Sequence, residues 1–319
     1  MGMAPSRIFA EPHGVTVVDA EYVRPGYAAV HLLERNGRVA VIDTGTNDSV
    51  PLVLSALEQL GLPRTAVDWV FVTHVHLDHA GGAGLLLREL PGARAVAHPR
   101  SVPHLVDPSR LVEATRRVYG AERFERLYGE PLGIDAARIV ETADGDRLQL
   151  GADELAVLHT PGHALHHHVL VDSRARAVFT GDTFGLSYRA LDTERGPCAL
   201  PTTTPTQFDP EQLLGSIRRI AALSPEAVYM THFGRVTDVA RLAVSLTEQI
   251  EEHVRIAERH ARASERYAAI RADLRTLWLE VLRAHGAPLA LVDDLLAPDL
   301  DLNAQGLVAW LERGERAPR

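Results

Sequence analysis

The chain has 319 residues, enough to bury a large core and carry an appendage, and its 46% hydrophobic and 24% charged residues are ordinary for a globular protein. A formal charge of −9, with all 33 basic residues arginine, argues against nonspecific binding to nucleic acid or an anionic membrane. Cys198 is the one cysteine, which excludes a disulfide framework and a thiolate metal site, and no apolar run reaches the ~18 residues of a membrane span.

Residues 1–7 lead into no apolar leader, so a cytoplasmic protein is expected. Strand-like runs follow at 15–18, 28–33 and 39–42, and Asn36-Gly37 between the last two is a hairpin turn. The third run ends in Asp43-Thr44-Gly45. An aspartate buried at a strand end can hold a neighbouring ligand loop from behind, with a local turn cap as the alternative. His13 and His31 read as turn and strand residues. Asp48 or Ser49 then caps a helix with apolar Val50, Val53, Leu54, Leu57 and Leu60, stopped by Gly61.

The run 67–72 is β-branched and aromatic, as in a buried strand. Directly after it comes Thr73-His74-Val75-His76-Leu77-Asp78-His79-Ala80-Gly81-Gly82. His74, His76, Asp78 and His79 thus crowd into one loop, and imidazole nitrogen with carboxylate oxygen suits zinc, iron or manganese. Helical signals resume at 84–90, and 94–98 is another short strand. Residues 99–133 carry helical spacing at Leu111, Thr115, Val118, Phe124 and Leu127, which reads as a helical insertion near the mouth of the site. His98 and His104 fit structural roles there better than substrate contact.

Residues 138–182 return to strands, with Asp144-Gly145 as a turn. The run 155–160 delivers Pro161-Gly162-His163, 177–180 delivers Gly181-Asp182, and 227–230 delivers Thr231-His232. Strands that each end in a metal-type residue are what ligands clustered at one sheet edge require. His166, His167 and His168 cannot all face one ion, because neighbours on a strand point to opposite faces. The long loop 183–209 follows Asp182, and Phe184, Leu186, Tyr188 and Arg189 are its candidate substrate contacts. From Asp238, the positions Val239, Leu242, Leu246, Ile250 and Ala257 describe a long amphipathic helix, 270–282 a second, and a last piece starts near Asn303. The chain therefore divides into 1–235 and a helical extension, 236–319, which can cover a pocket or make a homodimer.

The Thr-His-x-His-x-Asp-His-x-x-Gly stretch, Pro-Gly-His, Gly-Asp, Thr-His and Asp43-Thr44-Gly45 together resemble the metallo-β-lactamase-fold superfamily over residues 14–235. The resemblance implies an α/β fold, an αββα metallo-β-lactamase-type sandwich, here with a C-terminal helical extension. It implies two divalent ions, zinc first, with iron or manganese as alternatives. His74, His76 and His163 would hold the first; Asp78, His79 and His232 the second; Asp182 would bridge them. His167 takes the position of a supporting histidine. By the same resemblance a metal-bridged hydroxide, positioned by Asp78 and Asp182, attacks the substrate carbonyl.

Zinc β-lactamases of the common class have arginine where His79 stands and cysteine where Asp182 stands. The complete set here resembles glyoxalase II, acyl-homoserine-lactone lactonases and phosphodiesterases of the fold. Nuclease branches add a large inserted domain, whereas only 18 residues separate His163 from Asp182. Glyoxalase II binds glutathione through basic residues of its tail, and no matching spacing is found in this one. The expectation is a hydrolase of small-molecule esters, lactones or thioesters, with phosphoester hydrolysis as a side activity. The alternatives are a mononuclear iron dioxygenase, as in the persulfide dioxygenases, and a slow-turnover signalling or binding protein.

Overall fold

The short apolar runs form two sheets in the computed structural model, which describes residues 7–203 and 206–316. Residues 1–6, part of the stretch expected to lack an apolar leader, lie outside the described residues. The first sheet holds, in spatial order, β1 (Ile8–Glu11), β2 (Val15–Asp19), β3 (Ala29–Arg35), β4 (Arg38–Ile42), β5 (Val67–Phe71), β6 (Arg94–Ala97) and β7 (Ile139–Glu141). The second is built from β8 (Arg147–Leu150), β9 (Asp153–His159), β10 (His168–Asp172), β11 (Ala177–Gly181), β12 (Ala227–Met230) and β13 (Gly234–Val236). Its spatial order is β13-β12-β11-β10-β9-β8.

Asn36 and Gly37 join β3 to β4 at φ 51° and 77°, the two positive values that a type I′ turn needs. β4, β5, β6 and β7 pair in parallel, which requires crossovers, supplied by the helices Val50–Gln59 and Ala83–Glu89 and by the expected helical insertion. That insertion consists of the helices Val102–Val106, Ser109–Tyr119 and Ala121–Tyr128. β9 and β11 both run antiparallel to β10, and β12 runs parallel to β11. The C-terminal ends of β9, β11 and β12 therefore share one edge of their sheet, as those of β4 and β5 do in the other. Every motif residue singled out above follows one of these five ends.

The sheets are tied across their interface by specific side chains. Arg35, 4% exposed at the end of β3, pairs with Asp172 of β10 and lies 2.8 Å from Asp153 of β9. His31 sits between Phe179 and Tyr229, with ring centroids 5.7 and 5.6 Å away, and its burial pulls the imidazole pKa down to about 4. It is a neutral core residue at physiological pH, in line with the strand role expected for it.

The chain forms two compact units that interleave along the sequence. The first comprises residues 1–159, 168–181 and 226–235, and holds both sheets apart from the last residue of β13. The second comprises 160–167, 182–225 and 236–319. The 235/236 boundary expected from the sequence is one of the junctions, and the second unit also takes in the two earlier segments. Its helices are Pro210–Ala222, Val239–Arg259, Arg266–His285, Leu291–Asp294 and Ala297–Arg316. Leu246, Ile250, Leu274, Trp278, Leu300 and Leu307 are among the residues that fill its core. The last helix begins before Asn303 because Pro298 is tolerated in a first turn, where its missing N–H has no helical acceptor to lose. Among the described residues no helix is long and apolar enough to cross a membrane.

Candidate metal centre

In the first unit, the loop after β5 is fastened before it presents any ligand. His168 of β10 stacks on Phe71 at 4.3 Å and donates Nε2–H to the carbonyl of Val72 at 2.7 Å. The main-chain N–H of His168 donates to Thr73 O at 3.0 Å. Below the loop, Asp43 takes a left-handed φ of 57° and is fully buried. Its Oδ1 accepts from the Thr73 N–H and hydroxyl, both at 2.9 Å. Its Oδ2 accepts from the Thr231 hydroxyl and from His79 Nδ1, both at 2.8 Å. Asp43 thus joins the ends of β4, β5 and β12, the supporting role expected of it.

These bonds fix tautomers. With its Nδ1 proton given to Asp43, His79 presents Nε2 as a lone pair, 3.8 Å from Asp78 Oδ2. His232 donates Nδ1–H to the main-chain carbonyl of Tyr27 at 2.8 Å, which leaves its Nε2 lone pair 3.3 Å from the same oxygen. The candidate ligand atoms of Asp78, His79 and His232 all lie within 4.8 Å of one another. Beside them, His74 Nε2 and His76 Nδ1 approach to 2.8 Å, and His74 Nδ1 is held by the Thr73 hydroxyl at 3.1 Å.

In the second unit, Pro161-Gly162 turns the chain so that His163 follows directly. Gly162 has φ 135°, and a Cβ there would fall 2.2 Å from Leu213 N of the helix Pro210–Ala222, so only glycine allows this packing. His163 Nδ1 lies 3.2 Å from Thr202 O and 3.1 Å from its hydroxyl, and His163 Nε2 lies 3.5 Å from Asp182 Oδ2. The Asp182 N–H donates to His167 Nε2 at 3.2 Å. His167 Nδ1 must then carry the proton, which the hydroxyls of Thr160 and Thr183 share at 2.9 and 3.0 Å. His167 therefore positions Asp182 through its backbone and has no lone pair left for a metal.

This donor chemistry fits divalent metal ions. Imidazoles whose rear nitrogen is occupied by a carboxylate, carbonyl or hydroxyl, grouped with a carboxylate, are what a metal centre built from nitrogen and oxygen uses. Within each unit the residues brought together are His74, His76, Asp78, His79 and His232 in the first, and His163 and Asp182 in the second.

The other candidates have different surroundings. Phe184 and Tyr188 are 0% and 1% exposed, and the Tyr188 hydroxyl donates to Asp299 Oδ1 at 3.1 Å. Arg189 bonds to Ser187 O and lies 3.4 Å from Asp192. Phe184 and Tyr188 are packed inside the second unit, whereas the Arg189 side chain is 42% exposed. Tyr188→Phe should therefore lower stability by about 2 kcal/mol, the value of a hydrogen bond to a charged acceptor. Denaturant unfolding reads this, and a KM change at unaltered stability would return Tyr188 to the substrate. His98 accepts the Arg100 N–H on Nδ1, and its ring packs on His159 at 4.3 Å, a structural role as expected. Cys198 is buried, and that burial lifts its thiol pKa to about 11.

Sequence reasoning missed three sets of groups. The threonines beside the ligands were signalled by the recurring Thr-His at 73–74 and 231–232. The Tyr27 carbonyl left no signal, because every residue carries one. Nor did the buried Tyr22–Tyr128 contact, whose hydroxyls lie 2.7 Å apart.

Comparison with known proteins agrees with this architecture. The family model described as metallo-beta-lactamase superfamily matches residues 23–232. A metallo-beta-lactamase fold-containing protein of Sulfurisphaera tokodaii is 27% identical over 229 residues, 70% of this chain and 79% of that protein. The hydroxyacylglutathione hydrolase of Maricaulis maris is 30% identical over 217 residues, 66% of this chain but only 63% of the hydrolase. Among solved structures, an archaeal metallo-beta-lactamase superfamily protein from Sulfolobus tokodaii superposes with a TM-score of 0.63 at 22% identity, covering 93% of this chain and 99% of that one. A metallo-beta-lactamase family protein from Thermus thermophilus gives 0.63 at 20% identity, covering 98% and 94%. At such identities the two structures speak for the fold alone, and their coverage includes most of the helical tail.

Proposed function

Because the chain belongs to the metallo-beta-lactamase superfamily and has its αββα sandwich with C-terminal helices, we propose that it is a dinuclear metal-dependent hydrolase of carboxylic esters, lactones or thioesters. The observation that carries this reading is the paired fixing of His79 and His232, whose Nδ1 protons are held by Asp43 and Tyr27 while both Nε2 atoms face Asp78. Following the family resemblance, His74, His76 and His163 would hold one ion and Asp78, His79 and His232 the other, with Asp182 available to both. When bound, the ions polarise the acyl carbonyl and make water nucleophilic near neutral pH.

The residues of the chain supply orientation. Asp43 and Tyr27 keep the protons on the rear nitrogens, so that in the neutral imidazoles the facing nitrogens carry the lone pairs. Asp78 accepts a hydrogen bond from the attacking water and aligns it with the acyl carbon. Water adds to that carbon, the bond to the alkoxide or thiolate breaks, and the leaving group departs with a proton. The likeness to hydroxyacylglutathione hydrolases supports a thioester or ester over a phosphoester, which we retain as a side reaction.

Elemental analysis and a substrate panel test this together. Protein produced without metal limitation should carry about two ions per chain, zinc first, with iron or manganese as substitutes. It should cleave at least one lactone, ester or thioester in a panel that also contains phosphodiesters, and lose that activity to chelation. One iron per chain with oxygen consumption would replace this reading by the oxygenase. Two ions with no turnover would replace it by a binding protein.

A further inference from the structure

A row of aromatic side chains continues from the Asp78, His79 and His232 group within the first unit. Tyr27 is its base: the carbonyl holds His232, and the ring lies 5.4 Å from the imidazole at 76°. Tyr22 packs on Tyr27 at 5.7 Å, Tyr128 on Tyr22 at 5.7 Å, and the fully buried Phe124 backs Tyr128 at 5.4 Å. Tyr128 comes from the helical insertion, 106 residues away from Tyr22 in sequence. Neither tyrosine has a place in the metal centre, yet their hydroxyls meet each other.

Those hydroxyls lie 2.7 Å apart, with the side chains 7% and 4% exposed. The pair owns two protons and its mutual bond uses one. Among the described residues the second proton has no acceptor, an arrangement that costs free energy in a buried place unless something else accepts it. Burial raises both phenol pKa values well above 10, and the Asp78 carboxylate adds to the rise in each. The pair is therefore a donor at all physiological pH, and Asp78 is close enough to act on both rings.

We propose that Tyr22 and Tyr128 form a donor-tipped aromatic wall that binds the acyl portion of the substrate and selects apolar acyl chains carrying a second, neutral oxygen acceptor. The rings take the apolar chain, and the unused phenol proton takes a keto, ether or amide oxygen. This rests on the ester, lactone or thioester reading and names the acyl class within it.

The test uses the metal-loaded full chain with two matched pairs of ligands. One is pentanoate against 4-oxopentanoate, read by calorimetry; the other is their phenyl esters, read by kcat/KM. One net hydrogen bond predicts a preference of about 5- to 10-fold for the keto compound in both. Each single Tyr→Phe change leaves the other hydroxyl with a proton to donate, so Tyr22→Phe with Tyr128→Phe together is the decisive variant, and its ratio should fall to about one. Equal binding of the two acids by the wild-type protein would overturn the proposal, as would a keto preference that survives in the double variant. Should neither ester be cleaved, the hydrolase reading suffers while the acid pair still decides the wall.

Discussion

Asp182→Asn should leave the protein with about one ion and lower its turnover at least ~100-fold, the scale of loss when a positioned electrostatic group is removed. The change keeps size and shape and removes one negative charge that offsets two dications. The backbone of Asp182 is held without its carboxylate: its N–H donates to His167 Nε2 at 3.2 Å and its carbonyl accepts from the Thr202 hydroxyl at 3.1 Å. The segment should therefore stay in place, and the loss should be electrostatic. Three histidines remain for the first ion, whereas the second keeps Asp78, His79 and His232, one imidazole fewer. Second-ion affinity should accordingly fall further. Metal titration of the variant beside its kcat reads both effects. Two ions at full turnover would remove Asp182 from the bridging role, and simultaneous loss of both ions would mean the sites are not separable.

Asp43→Asn should weaken both the fold and the second ion site, although Asp43 is expected to touch neither ion. The carboxylate accepts from four donors, the N–H and hydroxyl of Thr73, the hydroxyl of Thr231 and His79 Nδ1. An amide offers two donors of its own at one end, so the groups on that side would meet donor against donor in a fully buried place. Leaving two of them unpaired costs about 3 kcal/mol or more. If the amide nitrogen faces His79, the imidazole must carry its proton on Nε2, the atom a metal needs, and affinity for the second ion should drop about 10- to 100-fold. Denaturant unfolding in chelator isolates the folding part, and metal titration under native conditions isolates the other. Wild-type values in both measurements would mean that Asp43 is only a turn residue.

The strand ends and the residues on them were legible in the sequence for a local reason. A short run of β-branched residues buries itself in any sheet, and the loop after it carries a motif whose spacing is set by a few adjacent residues. His74, His76, Asp78 and His79 stand within one such loop, and His163, Asp182 and His232 each follow an apolar run directly. The Asn36-Gly37 hairpin was legible on the same grounds, since its two positive φ values depend on residue type alone. The surroundings of the loop after Asp182 were not. Phe184 and Tyr188 look like pocket residues because they follow Asp182 in the chain, yet the Tyr188 hydroxyl bonds to Asp299, 111 residues further on.

By itself, then, the sequence determined which side chains have the chemistry to hold metal and on which strand ends they stand, because both properties are short-range. Tertiary structure decided what lies behind and beside them. Asp43 finds Thr231 across 188 residues, His232 is oriented by a main-chain oxygen of Tyr27 across 205, and Tyr22 meets Tyr128 across 106. A carbonyl has no residue type, and a tyrosine is equally at home in a core. Which nitrogen of each histidine keeps its proton, and which aromatic rings stand beside the ligands, is settled only when distant strands and the helical insertion pack together, since burial is a property of the folded chain and not of any segment.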